Sequence, residues 1–257
     1  MLNDSPEYKK RKQFFDQLLT IYGRKPCLEA MTDASVNVFR LHLAESNKPA
    51  KIIDELVTLA KQRNAEILYH DKKSLSRISK NSKQDQGVAI DLELNGFIHY
   101  QTYIEQGIPE KSRFLAVDNV TNPQNLGMII RSVCASPLDG LILPKTGCAK
   151  LDSLVIKASA GTLFRTQILL CESLAQCLKE FKYLGTNIIG LDSNAEETLA
   201  SLDSHGRNIF ILGNESEGIS EACASECNRS VKIPMRNNVE SLNVAVAAGI
   251  IAFHYID

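Results

Sequence analysis

The chain has 257 residues, enough for one large domain or two modest ones with a sizeable core. Hydrophobic residues make up 44% and charged residues 23% of it, as in ordinary globular proteins, and the formal net charge is -1. These values exclude a wholly disordered chain and a nucleic-acid binder that works through global charge, but leave open a local basic surface. Seven cysteines are present, an odd number with no Cys-x-x-Cys pair, and several lie in apolar stretches. They read as reduced core thiols, and the five scattered histidines offer no metal cluster. The N-terminal MLNDSPEYKKRK is charged where a secretion signal needs an apolar core. The longest apolar run, in SLNVAVAAGIIAFHYID, is too short to span a bilayer. A cytoplasmic protein with neither metal nor membrane association is therefore expected.

In chain order, residues 1–20 predict a polar extension with a short helix, EYKKRKQFFDQLLT. Residues 21–95 predict a small α/β domain with SVNVFRLHLA, AEILYH and GVAIDLEL as strands. KPAKIIDELVTLAKQRN is its helix, because Ile52, Ile53, Leu56, Leu59 and Ala60 recur at helical spacing. Residues 96–112, within a stretch holding two glycines and a proline, read as a linker or edge connection. From 113 to 257 the pattern becomes a regular alternation. FLAVDNV, GLILP, TQILLC, NIIGLD, NIFILGN and VKIPM predict strands, with PQNLGMIIRSVCAS, SLAQCLKEFKYLG and SLNVAVAAGIIAFHY as helices. Apolar strands alternating with helices imply a mostly parallel sheet covered on both faces, with ligands at the carboxyl ends of its strands.

Three segments sit at such ends. In VDNVTNPQNLGMIIRS a strand ends at Asp118 and a helix starts near Pro123. Its Arg131 lies beside the apolar stripe and reads either as a solvated helix residue or as a phosphate ligand. In NIFILGNESEGIS a strand runs into Gly213, Asn214, Glu215 and Gly218. Glycine there permits a tight turn and close approach to a ligand, although a plain loop and helix cap is equally available. Neither a Walker A loop nor a G-x-G-x-x-G fingerprint is present. In VKIPMRNNVESLNVAVAAGIIAFHY a strand ends at Pro234, and the following helix takes Ser241 as its expected N-cap. That helix is apolar nearly all round and should be mostly buried. Asn243 in its first turn needs partners, backbone or ligand.

Taken together and in order, DNVTNPQNLGMIIRS, ILGNESEGIS and IPMRNNVESLNVAVAAGI closely resemble motifs 1, 2 and 3 of the SpoU (TrmH) family, RNA ribose 2′-O-methyltransferases of the SPOUT superfamily. KASAGTLFRTQI resembles the family's Ser-x-Gly-Ala stretch, and YGRKPCLEAM through QGVAIDLE its substrate-binding domain. The resemblance implies a SPOUT-type α/β domain with a mostly parallel sheet and a deep trefoil knot, preceded by the small α/β unit. It implies S-adenosyl-L-methionine as cofactor, held by Leu191, Gly213, Asn214, Gly218, Ile233 and Leu242. It places the reactive residues at Asn125, Arg131, Glu215, Ser241 and Asn243. It also implies a homodimer through the C-terminal domain, with RNA as partner, ribosomal RNA ahead of transfer RNA.

Arginine is too basic to serve readily as a proton acceptor, so Arg131 is expected to hold a substrate phosphate and position the 2′-hydroxyl. Asn125, Ser241 and Asn243 would supply ordering hydrogen bonds, and Glu215 would orient Arg131 or the motif 3 loop. Two positions depart from the family pattern. Ser216 stands where motif 2 usually has glycine, and Ala245 where motif 3 usually has serine; serine at 216 would loosen the cofactor loop if that site needs positive φ or close approach. KKSLSRISKNSK, with Lys72, Lys73, Arg77, Lys80 and Lys83 and no acid, reads as a solvated loop or as an RNA-phosphate track. The N-terminal KKRK offers the same choice. The competing function is an RNA-binding protein on the same scaffold with little or no turnover.

Overall fold

A computed structural model describes residues 18–34, 36–93, 97–202 and 205–254. Most of the expected N-terminal helix and the whole KKRK run lie outside the described residues. Leu18, Leu19 and Thr20, taken above as the end of that helix, instead belong to a strand. Contacts divide the chain into two compact units, one within residues 1–95 and one within 96–257, residues 151–153 clustering with the first.

Among the described residues the first unit is a four-stranded sheet with three helices. Strands β1 (Leu18–Tyr22), β2 (Asn37–Ala44), β3 (Glu66–His70) and β4 (Val88–Glu93) lie in the order β1-β4-β2-β3. β2 and β3 are parallel, and β4 runs antiparallel to β1 and β2. Helix α1 (Arg24–Thr32) follows β1, and α2 (Lys51–Gln62) carries Leu56 and Ala60 into the core. Arg63 pins the end of α2 by donating to the carbonyls of Val36 and Asp33 at 2.7 and 2.8 Å. The basic stretch expected as a loop is in fact helical over α3 (Lys72–Ser79). Asp71 caps it, accepting from Lys73 N and Ser74 N, and Leu75 packs against Ala44 and Ala89. Two apolar residues among lysines and serines gave too weak a period to show this face.

Beside that apolar patch, a polar row crosses the same sheet. Thr20 Oγ1 donates to Asp91 at 2.6 Å, His42 Nε2 lies 3.0 Å from the other Asp91 oxygen, and His42 Nδ1 lies 2.9 Å from His70 Nε2. Burial alone would raise the Asp91 pKa, but the bonds from His42 and Thr20 and the nearby Arg40 charge outweigh it and hold the carboxyl below its ordinary value.

The second unit is built on an eight-stranded sheet in which all strands run parallel. Its strands are β5 (Phe97–His99), β6 (Ser112–Val117), β7 (Gly140–Pro144), β8 (Ile168–Cys171), β9 (Asn187–Leu191), β10 (Glu197–Thr198), β11 (Arg207–Leu212) and β12 (Arg229–Lys232). Their order is β10-β12-β9-β11-β6-β7-β8-β5. The stretch read as a linker or edge connection contributes an edge strand, β5, and helix α4 (Tyr100–Glu105). Helices α5 (Pro123–Cys134), α6 (Ser153–Ala158), α7 (Leu174–Tyr183), α8 (Glu221–Ala224) and α9 (Val244–Ala252) connect or follow the strands. The buried central strands read as unbroken apolar runs because both faces are covered, with Phe114, Phe181 and Phe210 among the largest buried side chains. The chain runs outward from β6 through β7 to β8, then returns to β6's other side with β9 and β11. A topological switch point therefore falls between β6 and β11.

All seven cysteines are free thiols, four of them buried, as the composition led us to expect. Burial pushes the Cys148 and Cys223 thiols up to about 11. Among the described residues no helix is long and apolar enough to cross a membrane.

Candidate functional site

The loops that leave β9, β11 and β12 enclose a cavity of about 450 Å³ at the carboxyl ends of the strands. Leu191 supplies one wall, Gly213 through Ile219 another, and Ile233, Met235 and Glu240–Leu242 a third. Of the residues expected to hold a cofactor, Leu191, Gly213, Asn214, Gly218, Ile233 and Leu242 all line this one space, joined by Glu215 and Ser241. The wall carries Asp192, Glu215, Glu217 and Glu240, and no basic residue among the described ones. Such a cavity favours a cationic ligand and repels phosphates.

Its floor is a tight turn. Asn214 N donates to Gly218 O at 3.0 Å and Gly218 N returns a bond to Asn214 O at 2.9 Å. Asn214 Oδ1 accepts from Ser216 N at 2.8 Å and Glu217 N at 3.3 Å, an Asx turn inside the first. Gly218 adopts φ +72°, whereas Gly213 is required for space: a Cβ there would lie 2.1 Å from the Gly218 carbonyl carbon. Ser216 is not among the positive-φ residues and donates within the turn, so it fits without strain.

Side chains tie the first turn of α5, the loop after β11 and the N-cap of α9 to one another. Asn243 Nδ2 donates to Asn125 Oδ1 at 3.1 Å, and Asn125 Nδ2 donates to Glu215. Asn125 is 7% exposed, so both ends of its amide are satisfied by residues from the other two motifs. The helix α9 cap is Asn243, which accepts from Ala245 N at 2.9 Å, and not Ser241. Ser241 lies two residues ahead of the cap, exposed on the cavity wall, because the chain between Pro234 and Asn243 stays irregular. Ala245 needs only its backbone N–H for this cap.

Arg131 is not on the cavity wall; it is exposed on α5, three residues from exposed Met128. Helix α9 is mostly buried, as expected, with Val244, Ala245, Ala247, Ala248, Ile251 and Ala252 inside, while Val246 and Ile250, and Phe253 at its C-cap, face outward at 51%, 39% and 42% exposure. Two residues outside the expected set organise the site. Asp118, 6% exposed, accepts from Ser220 N at 2.7 Å and from Asn119 Nδ2 at 3.1 Å, and Asn119 O accepts from Asn214 Nδ2 at 3.0 Å. Together they fasten the loop after β11 to the end of β6. The available signal was an Asp-Asn pair directly after a buried strand, with Asn119 in the left-handed region at φ +56°.

Comparison with known proteins agrees with this geometry. Residues 112–253, more than half the chain, match the model of the SpoU rRNA methylase family. The chain belongs to that family. Residues 20–95 match a second model, described as RNA 2′-O ribose methyltransferase substrate binding. A relative from Mycolicibacterium smegmatis, named an uncharacterized tRNA/rRNA methyltransferase, is 31% identical over 92% of this chain and 75% of its own length. A similarly named protein from Mycobacterium leprae is 31% identical over 92% of this chain and 76% of its own. Among solved structures, the SpoU methyltransferase AviRb from Streptomyces viridochromogenes, in complex with AdoMet, shares the fold. Its TM-score is 0.65 at 22% identity, covering 97% of this chain and 91% of that one.

Proposed function

We propose that this SpoU-family protein transfers a methyl group from S-adenosyl-L-methionine to a ribose 2′-hydroxyl of structured RNA, ribosomal RNA ahead of transfer RNA, in the cytoplasm. In this reading residues 21–95 capture the RNA and residues 113–257, threaded as a trefoil knot, carry the chemistry. The observation that carries it is the acidic cavity floored by Gly213, with no phosphate-binding cation on its wall among the described residues. S-adenosyl-L-methionine is a cation through its sulfonium and ammonium groups, and the close approach of backbone at Gly213 leaves peptide groups to meet it. The residues present fit that ligand: Leu191, Ile233 and Leu242 offer apolar contact, and Gly213, Asn214 and Gly218 form the turn beneath.

Held by Leu191, Gly213, Asn214, Gly218, Ile233 and Leu242, the cofactor would supply an activated methyl group for transfer to the ribose oxygen. The chain's own residues align the hydroxyl. Asn243, Asn125 and Glu215 form one hydrogen-bonded line that fixes the motif loops relative to one another, and Ser241 adds a hydroxyl on the cavity wall. Glu215 thereby orients Asn125, and Arg131 is left to hold a substrate phosphate. An Arg131 outside the cavity suits a site completed by a second subunit. Met128 beside it, with Val246 and Ile250 of α9 and Phe253 at that helix's C-cap, forms an exposed apolar surface suited to a second copy of the chain. Lys72, Lys73, Arg77, Lys80 and Lys83 on and after α3 are the proposed RNA contacts of the first unit.

Calorimetry with S-adenosyl-L-methionine, combined with mapping of 2′-O-methyl positions lost from the RNA of a deletion strain, tests the proposal. No binding at millimolar ligand, or no ribose position lost, would overturn it.

A further inference from the structure

The first unit holds a second cavity, of about 300 Å³, at the edge where β1, β2 and β3 end and β4 begins. Ser46 and Asn47 after β2, Lys72 at the start of α3, and Lys83 and Gln86 ahead of β4 line it. Three loops that are distant in sequence are locked together around it. Asn47 Nδ2 donates to Gly87 O at 2.7 Å, Arg24 Nη2 donates to Asn47 Oδ1 at 3.2 Å, and Arg24 Nε donates to Gln86 O at 3.2 Å. Gly87 must be glycine, since its φ is +75° and a Cβ would fall 2.3 Å from Asn47 Oδ1.

The lining has a definite chemical character. Its carboxylate, Asp85, is 5% exposed and engaged inward by Ser79 Oγ and Gly87 N, each at 3.0 Å. Lys72 and Lys83 form no ion pair among the described residues, and Gln86 Nε2 meets no partner among them. The one apolar residue on the wall, Ala44, is buried, so no flat surface is offered for stacking a base. Ammonium groups, amide donors and the hydroxyls of Ser46 and Ser82 suit an anionic, hydroxylated ligand. Arg24 keeps further N–H donors beyond the two it spends on the clamp.

We propose that this loop edge is a sugar–phosphate site, in which Lys72 and Lys83 hold one phosphodiester of the RNA while Gln86 and Ser46 meet its ribose. The proposal rests on the RNA-methyltransferase reading and divides the basic stretch: Lys72 and Lys83 bind the backbone in a formed pocket, and Lys73 and Arg77 do not share it. Because backbone contacts position without reading bases, the site is indifferent to sequence.

The test uses the full chain and two fluorescent RNA hairpins of unrelated loop sequence, titrated by anisotropy across a salt series. The Lys72→Ala/Lys83→Ala pair should weaken both hairpins alike and flatten the slope of log K against log salt by about 0.7–0.9, the share of the one phosphate the pair holds. Lys73→Ala/Arg77→Ala removes the same charge outside the pocket and should change the slope by less than half as much. Gln86→Glu keeps the acceptor used by Arg24 N and should weaken RNA binding at low salt, with an unchanged thermal midpoint. Equal effects of the two double variants, or no effect of the first, would overturn the site. Affinity for S-adenosyl-L-methionine should stay within twofold of wild type in every variant, so the methyltransferase reading is scored separately. Failure of the wild-type chain to bind either hairpin would overturn the site alone, and loss of cofactor binding by the wild-type chain the methyltransferase reading.

Discussion

Gly213→Ala is the sharpest test of how the cofactor loop is built. The added Cβ would sit 2.1 Å from the Gly218 carbonyl carbon, 2.2 Å from its oxygen and 2.3 Å from Ile219 N. Carbon atoms make good contact at about 3.5 Å, so the turn must open by more than about 1 Å. All three neighbours are backbone, which no rotamer change can relieve. Opening separates Asn214 from Gly218 and breaks both bonds of their reciprocal pair, each worth about 1 kcal/mol net. Overpacking adds about 1–3 kcal/mol, giving about 3–5 kcal/mol against the binding-competent loop. Cofactor affinity should then fall by about two to four orders of magnitude. Gly218→Ala is the control: its Cβ would enter open space, and only the φ of +72° is penalised, by about 1 kcal/mol. That variant should lose less than about tenfold. Calorimetric titration with S-adenosyl-L-methionine, with circular dichroism to confirm folding, measures both. Wild-type affinity in Gly213→Ala, or a larger loss in Gly218→Ala, would refute the reasoning.

Asp118→Ala leaves Ser220 N without its acceptor and frees Asn119, which costs about 1–3 kcal/mol and should lower both the thermal midpoint and cofactor affinity; an unchanged affinity would show that the clamp is dispensable. Arg131→Ala should abolish methyl transfer while calorimetric cofactor binding persists, because Arg131 lies off the cavity wall. Phe253→Asp should convert the proposed dimer to a monomer in analytical ultracentrifugation, since it places a charge in the exposed apolar surface at the C-cap of α9. Stability should fall as pH drops below 6.5. Burial and the neighbouring His42 hold the His70 pKa below that value against the opposing pull of Asp71 and Glu45, so the unfolded chain takes up the proton first. A midpoint-against-pH curve that keeps its slope in His70→Gln would count against this origin.

Much of the architecture was legible in the order of residues. The buried parallel strands announced themselves as apolar runs, α2 by its period, and α5 by Pro123 at its first turn, because each signal depends on residues close in sequence. The motif residues were legible as types at strand ends. What the sequence could not determine was which of them meet. The line from Asn243 through Asn125 to Glu215 joins positions about 90 and 118 apart in the chain, and only the sheet order, with β6 beside β11, brings them together. The same long-range packing decided that Asn243 caps α9, that the basic stretch folds as α3 over Leu75, and that one side of an apolar helix faces outward. Local chemistry chose the elements of this protein. The pairing of distant strands chose which loops share a site.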